Sequence, residues 1–140
     1  MQTQFDFHGK LAVVTGASGA IGAAIAREFH RAGAHVVATG RNRHALDALS
    51  KSLGERCDIV MGDMADDAHR QAIVARANQL GGIDVLVNNA GMTQTRKPTD
   101  ETNLMDFDEI VSVNLRAMYA LSLDVMRGWV GRGHPGVVVN

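Results

Sequence analysis

The sequence predicts an α/β fold built on a doubly wound parallel sheet, and three observations carry that prediction. Short apolar runs alternate with helix-periodic segments along the 140 residues. Each run is separated from the next by a helical crossover, which requires parallel pairing and, with right-handed crossovers, puts helices on both faces of the sheet. A glycine-rich turn joins the first run to the first helix, where a dinucleotide-binding half has it.

The first strand is Leu11 to Thr15, followed by a helix from about Ala20 to Ala32 and a stop at Gly33. His35 to Thr39, with its β-branched valines, forms the second strand. In the segment from Arg43 to Leu53, Ala45, Leu46, Leu49 and Leu53 fall at helical spacing before Gly54 closes the helix. A short strand, Asp58 to Met61, comes next. Asp66 or Asp67 can cap a helix to Leu80 that carries Ile73, Val74, Ala77 and Leu80 on one face and ends at Gly81-Gly82. Val85, Leu86 and Val87 mark a buried strand over Asp84 to Asn88, and a polar loop from Gly91 to Asn103 leads into a long helix, about Leu104 to Val130, apolar on more than one face. Gly131, Gly133 and Pro135 break it, and Gly136 to Asn140 reads as a fifth strand. Repeats, low-complexity stretches and a second domain are not expected.

Composition narrows the partners. With 46% hydrophobic and 21% charged residues the chain reads as soluble and globular, and a net charge of −1 offers no long-range attraction to nucleic acid or an anionic membrane. Cys57 is the single cysteine, which excludes an internal disulfide, fits a reducing compartment and makes a poor reactive thiol. Met1 to Gly9 lacks the apolar core of a signal peptide, and no run is long enough to span a bilayer, so a cytoplasmic location is expected. The six histidines fall in unrelated elements and suggest surface positions rather than a metal site.

The turn Thr15-Gly16-Ala17-Ser18-Gly19-Ala20-Ile21-Gly22 is the strongest functional motif. Glycines let the chain turn tightly and let backbone N–H groups approach a diphosphate, while the helix dipole favours the negative charge. Three glycines also suit ordinary packing of a helix on a strand, so the surrounding pattern has to decide. In such folds a carboxylate about twenty residues past the turn binds the adenosine ribose of NAD. Gly40, followed by Arg41, stands there instead. A guanidinium suits a 2′-phosphate, which favours NADP over NAD; alternatively Arg41 is a solvated charge opening the next helix.

Three motifs in order, Thr15-Gly16 through Ile21-Gly22, Asn88-Asn89-Ala90-Gly91 and Val113-Asn114-Leu115, resemble those of the short-chain dehydrogenases/reductases across nearly the whole chain. One departure is visible: Ala20 stands where relatives usually carry glycine, and Gly19 takes that role one position earlier. The resemblance implies a Rossmann fold with five strands in the order 3-2-1-4-5 and the family's C-terminal strands missing. It implies that Gly16, Ser18, Gly19, Ile21 and Gly22 line the diphosphate and that Arg41 and Asn42 meet the 2′-phosphate. Asp63 would bond the adenine amino group with Met64 beside the ring, and Asn89, Ala90 and Gly91 would pass along the ribose. Independently, a carboxylate at the carboxyl end of a parallel strand lies where ligands bind. The two asparagines could equally tie neighbouring strands together.

By the same resemblance the activity is hydride transfer between a nicotinamide and a carbonyl or alcohol, with a tyrosine as proton donor, a lysine four residues later, a serine on the substrate oxygen and an asparagine positioning a relay water. A tyrosine's pKa is about 10, and the lysine's ammonium lowers it toward neutrality. Here the one tyrosine, Tyr119, is followed four residues on by Leu123, so it reads as a packing residue with its hydroxyl at an edge. Asn114 matches the asparagine, although its amide could simply bond a backbone carbonyl. The expectation is therefore an N-terminal cofactor domain, residues 1–140, incomplete at its C-terminus, its serine, tyrosine and lysine lying outside the chain. Met92-Thr93-Gln94 loosely resembles the 3-oxoacyl-thioester reductase branch. Homo-oligomerisation through the helix 104–130 is expected from relatives. A catalytically silent nucleotide-binding or interaction module is the alternative, and a flavodoxin-like or receiver-like domain ranks last, since receiver chemistry needs clustered acids at strand ends with a lysine partner and Lys10, Lys51 and Lys97 are not placed for it.

Overall fold

The computed structural model describes residues 5–94 and 96–140. Its strands are β1 (Leu11–Val14), β2 (His35–Gly40), β3 (Cys57–Met61), β4 (Val85–Val87) and β5 (Val137–Val139), all parallel, in the order β3-β2-β1-β4-β5. Register pairs Ala12 with Val36 and with Val85, and Val87 with Val139. The doubly wound sheet and its strand order are therefore as the sequence implies.

Period-two alternation divides each strand between two cores. Leu11, Val13, Val37 and Leu86 pack with Ile73 and Ala77 of α3 (Asp67–Gln79) and with Leu121, Val125 and Trp129 of a long C-terminal helix. Ala12, Val14, Val36, Ala38 and Val87 face the other way, against Ala26 of α1 (Ala20–Arg31) and Leu46 and Leu49 of α2 (Arg43–Leu53). Burial on both faces explains why the central strands read as unbroken apolar runs. Truncating Leu46 or Leu121 to alanine, each wholly buried, costs about 2–5 kcal/mol.

Several expected boundaries shift. Strand β3 begins at Cys57 and β4 is only three residues, while the polar loop contains a short 3-10 turn at Thr99–Glu101. Asp66, not Asp67, caps α3, its side chain accepting from the Ala68 N–H. The long helix is α4 (Leu104–Val111), a π-helical turn (Ser112–Ala117) and α5 (Met118–Arg132). Gly131 lies within it, and Gly133, left-handed at φ +60°, ends it. Gly136 is small for a reason the strand reading missed: a Cβ there would sit 2.1 Å from the Trp129 ring, whose indole N–H donates to the Ile83 carbonyl at 2.6 Å.

Two side chains contradict their expected positions. Tyr119 is 65% exposed rather than packed, because it lies on the outer side of the long helix with Leu115 and Met126. His69 is 6% exposed rather than on the surface, because it stands one and two helical repeats before the buried Ile73 and Ala77. Among the described residues no helix is long and apolar enough to cross a membrane.

Candidate functional site

The carboxyl ends of β1, β2, β3 and β4 converge on one rim of the sheet, and the residues singled out in the sequence are carried there by the loops that follow. Gly16 has φ +66°, a left-handed conformation that favours glycine, and a Cβ on it would stand 2.8 Å from Ala90 Cα. A Cβ on Gly22 would stand 2.2 Å from the Gly16 carbonyl oxygen and 2.6 Å from Asn89 Nδ2. These two glycines hold the turn, the helix and the Asn89-Ala90 segment backbone against backbone. Gly19 is different. Its φ is −91°, and a Cβ would meet only the Gly16 oxygen, at 3.5 Å, so neither strain nor packing within the chain requires glycine. It is the N-cap of α1, which has no side-chain cap and no acidic residue in its first turn. The helix thus presents uncapped N–H groups and its positive end, with Ile21 exposed beside them.

Asparagine amides organise the neighbouring rim. Thr15 Oγ1 donates to the Val87 carbonyl (3.3 Å) and accepts from the N–H groups of Asn89 (3.0 Å) and Ala90 (2.9 Å). Asn89 Nδ2 donates to the carbonyls of Thr15 (3.1 Å) and Gly16 (3.3 Å), which fixes the glycine turn against β4. Asn88 Nδ2 donates to Ser122 Oγ (2.9 Å) and Asn140 Oδ1 (2.8 Å), tying together β4, α5 and the residue after β5. Its own Oδ1 is buried without a partner among the described residues.

At the end of β2, Gly40 is buried, and a Cβ on it would lie 2.5 Å from Ser18 Oγ. Ser18 occupies the space that a side chain at 40 would need. Arg41 is exposed, its guanidinium 4.0 Å from Asp63 Oδ2 at the end of β3. Asn42 caps α2, its amide oxygen accepting from the Ala45 N–H at 3.0 Å. Asp63 Oδ1 accepts from the Ala65 N–H at 2.9 Å, and Met64 is buried in the core at 6% exposure while also lining the crevice. A crevice of about 70 Å³ runs between Gly16, Arg41, Asp63, Ala90 and Val113. A larger hollow of about 390 Å³ lies at the opposite, amino end of the strands. There Lys10, His134 and the Leu11 N–H are all engaged by Asp84, and none of the residues expected to bind the cofactor falls among its walls.

Asn114 lies in the π-helical turn, a widened turn of the kind that recurs at functional sites. Its Oδ1 accepts from the Met92 N–H and its Nδ2 donates to the Met92 carbonyl, both at 2.8 Å. The amide therefore borders Gly91 and joins the loop after β4 to the helix. Two buried residues beneath the β3–α3 loop escaped the motif reading. His69 is hydrogen-bonded to Thr39, and Arg70 donates to the Met64 carbonyl and pairs with Asp67. Burial pushes the His69 imidazole below its ordinary value, against the opposing pull of Asp66 and Asp63. The helical spacing to Ile73 was the one clue to His69. Burial likewise pushes the Cys57 thiol up, against a nucleophilic role.

The chain is similar to 3-oxoacyl-(acyl-carrier-protein) reductase FabG of Rickettsia conorii, 33% identical over 138 residues covering 96% of this chain and 54% of that protein. Among solved structures it is similar to a 3-ketoacyl-(acyl-carrier-protein) reductase from Brucella melitensis complexed with NADH, at a TM-score of 0.85 and 28% identity, covering 95% of this chain and 56% of that one. A serine dehydrogenase complexed with NADP+ superposes at a TM-score of 0.81 with 30% identity, covering 91% of this chain and 52% of that one. The chain spans about half the length of the curated relatives it matches. With the glycine turn, the Asn89 anchor and Asn114 all in place, and with residues 10–140 matching the family, the chain belongs to the short chain dehydrogenases.

Proposed function

We propose that this chain is the cofactor-holding part of an NADP-dependent oxidoreductase that transfers hydride between a nicotinamide and a small carbonyl or alcohol substrate. The single observation that carries the preference for NADP is at the end of β2. Gly40 offers no carboxylate and Ser18 Oγ crowds the space that a side chain there would take, while Arg41 stands exposed at the same rim. A guanidinium there offers charge-assisted, forked hydrogen bonds to a 2′-phosphate.

The remaining residues fit such a group. Gly19 and the uncapped first turn of α1 can receive the diphosphate, with Gly16, Ser18, Ile21 and Gly22 shaping the turn around it. Asp63 and Met64 border the adenine end, and Asn89, Ala90 and Gly91 border the nicotinamide ribose. The cofactor, when bound, supplies or accepts the hydride. Asn114 holds the loop that passes beside it and is the one residue proposed for a catalytic role in this chain. The serine, tyrosine and lysine of the family's proton chemistry are assigned to residues outside the chain, since Tyr119 is followed by Leu123 and is turned to solvent. Leu115, Tyr119, Met126 and Val130, exposed along the long helix, are proposed to pack against a second subunit.

NADPH and NADH titrated into wild type and Arg41→Ala test the preference. Arg41→Ala is expected to weaken NADPH about tenfold or more, the scale of a charged hydrogen-bonded contact, and to leave NADH nearly unchanged. An equal loss for both, or none, counts against Arg41 as the phosphate reader. The second reading, a silent nucleotide-binding module, draws on the saturation of Asn114 by Met92 and the exposure of Tyr119. NADPH-dependent reduction of any carbonyl by the chain itself contradicts it.

A further inference from the structure

His69 is a buried imidazole that no proposed cofactor contact uses. It lies in the first turn of α3, and its Nε2 is hydrogen-bonded to Oγ1 of the fully buried Thr39 on β2 at 2.8 Å. Its ring also presses on Gly62. A Cβ on that glycine would stand 2.3 Å from Nδ1 and 2.5 Å from Cγ, so any side chain at position 62 would displace the ring. One ring therefore touches two neighbouring strand ends, which are also joined by the Gly62 N–H donating to the Gly40 carbonyl at 3.0 Å.

Arg41 follows Thr39 by two residues, and Asp63 follows Gly62 directly. Arg41 and Asp63, 4.0 Å apart, thus extend from chain segments that both touch the same imidazole. Burial keeps that ring below its ordinary pKa, so at neutral pH it bonds Thr39 as a neutral donor–acceptor without placing a charge in the core. The next residue, Arg70, supports the loop from beneath through the Met64 carbonyl.

We infer that His69 is a positioning residue which, by joining Thr39 to Gly62, fixes Arg41 against Asp63 and so sets how strongly the protein distinguishes a dinucleotide bearing a 2′-phosphate from one lacking it. The inference deepens the NADP reading and rests on it. Guanidinium–phosphate recognition is directional, so a loosened Arg41 loses affinity for the phosphate, while the rest of the dinucleotide keeps its seat on the glycine turn.

The test titrates NADPH and NADH into wild type, His69→Ala, Thr39→Val and His69→Gln, each first shown to be folded by thermal denaturation. The preference for NADPH is expected to fall about fivefold in His69→Ala and Thr39→Val, the scale of one net hydrogen bond, with NADH affinity kept within about twofold. His69→Gln, whose amide can still reach Thr39, restores most of it. An unchanged ratio, or equal weakening of both cofactors as a purely structural role gives, overturns the inference. Amide chemical shifts of the nucleotide-free protein supply a second readout: those of Arg41 and Asp63 move in His69→Ala while those of Gly16 and Gly22 stay, and unmoved shifts at Arg41 and Asp63 overturn the anchoring. A wild type that binds both cofactors equally overturns the NADP reading and with it the discrimination role, and the amide shifts then report separately on whether His69 holds the two strand ends.

Discussion

Asn114 and Met92 exchange two hydrogen bonds of 2.8 Å, the side-chain amide of one closing on the backbone N–H and carbonyl of the other. An amide used in this way acts as a missing strand partner for a loop that has none. Asn114→Ala is expected to cost about 1–3 kcal/mol, two net hydrogen bonds, and to raise hydrogen exchange at the Met92 amide well before global unfolding. Asn114→Asp keeps the acceptor but loses the donor, and falls between the two.

Gly22→Ala tests the turn. Its new methyl meets the Gly16 carbonyl oxygen at 2.2 Å, a backbone atom that cannot rotate away as a flexible side chain does, and the hydrogen-bonded Asn89 Nδ2 at 2.6 Å. A loss of about 1–3 kcal/mol is expected from overpacking, read as a lower denaturant midpoint, whereas Gly19→Ala leaves the midpoint nearly unchanged and weakens nucleotide binding.

The pH dependence of stability has a component from His69. Its folded pKa is lowered by burial, so on acidification the unfolded chain takes the proton first and the folded state loses stability. That contribution is intact above about pH 6.5, the unfolded value, and is lost as pH falls from there to the folded pKa. His69→Gln, which cannot titrate, is expected to flatten the melting-temperature profile between neutrality and pH 5; an unchanged slope refutes the assignment.

Asp84 acts at lower pH. Burial raises its pKa, but the Leu11 N–H, His134 and Lys10 outweigh that and leave it below its ordinary value. Its stabilisation is present above about pH 4, the unfolded value, and is lost as pH falls through the folded pKa. Asp84→Asn is therefore expected to be less stable than wild type at pH 7, with the gap closing below about pH 4 in urea titrations at each pH.

Leu115→Asp and Tyr119→Asp address the proposed subunit contact. Both positions are exposed, at 58% and 65%, so stability of the isolated chain is expected to change by no more than about 0.5 kcal/mol. Sedimentation velocity is expected to show a smaller species than wild type; an unchanged coefficient removes this face as the interface.

The alternation of short apolar runs with helix-periodic segments was enough for a parallel sheet with helices on both faces, because strands buried on two faces read as unbroken apolar runs and helices buried on one keep their period; the strand order came with the family resemblance. The glycine turn and the neighbouring asparagines were legible for the same kind of reason: backbone contact restricts residue type severely at Gly16 and Gly22. Side chains that act from below the site were not. His69 and Arg70 are polar residues on a buried helix face, and polarity in sequence reads as exposure unless the partner, here Thr39 or the Met64 carbonyl, is already in place. Tyr119 misled in the opposite sense, since an aromatic on a largely apolar helix reads as core. The π-helical turn leaves no mark in hydrophobic periodicity over so short a span.

Ser18 and Gly40 share one space, so substitutions at the two positions are coupled. With Ser18 Oγ 2.5 Å and Ser18 Cβ 2.9 Å from where a Cβ at 40 would stand, a side chain enters at 40 only if Ser18 moves aside or is replaced by a smaller residue. The effect of a carboxylate placed at 40 therefore depends on which residue stands at 18, and changing both is expected to cost less than the sum of the two single changes.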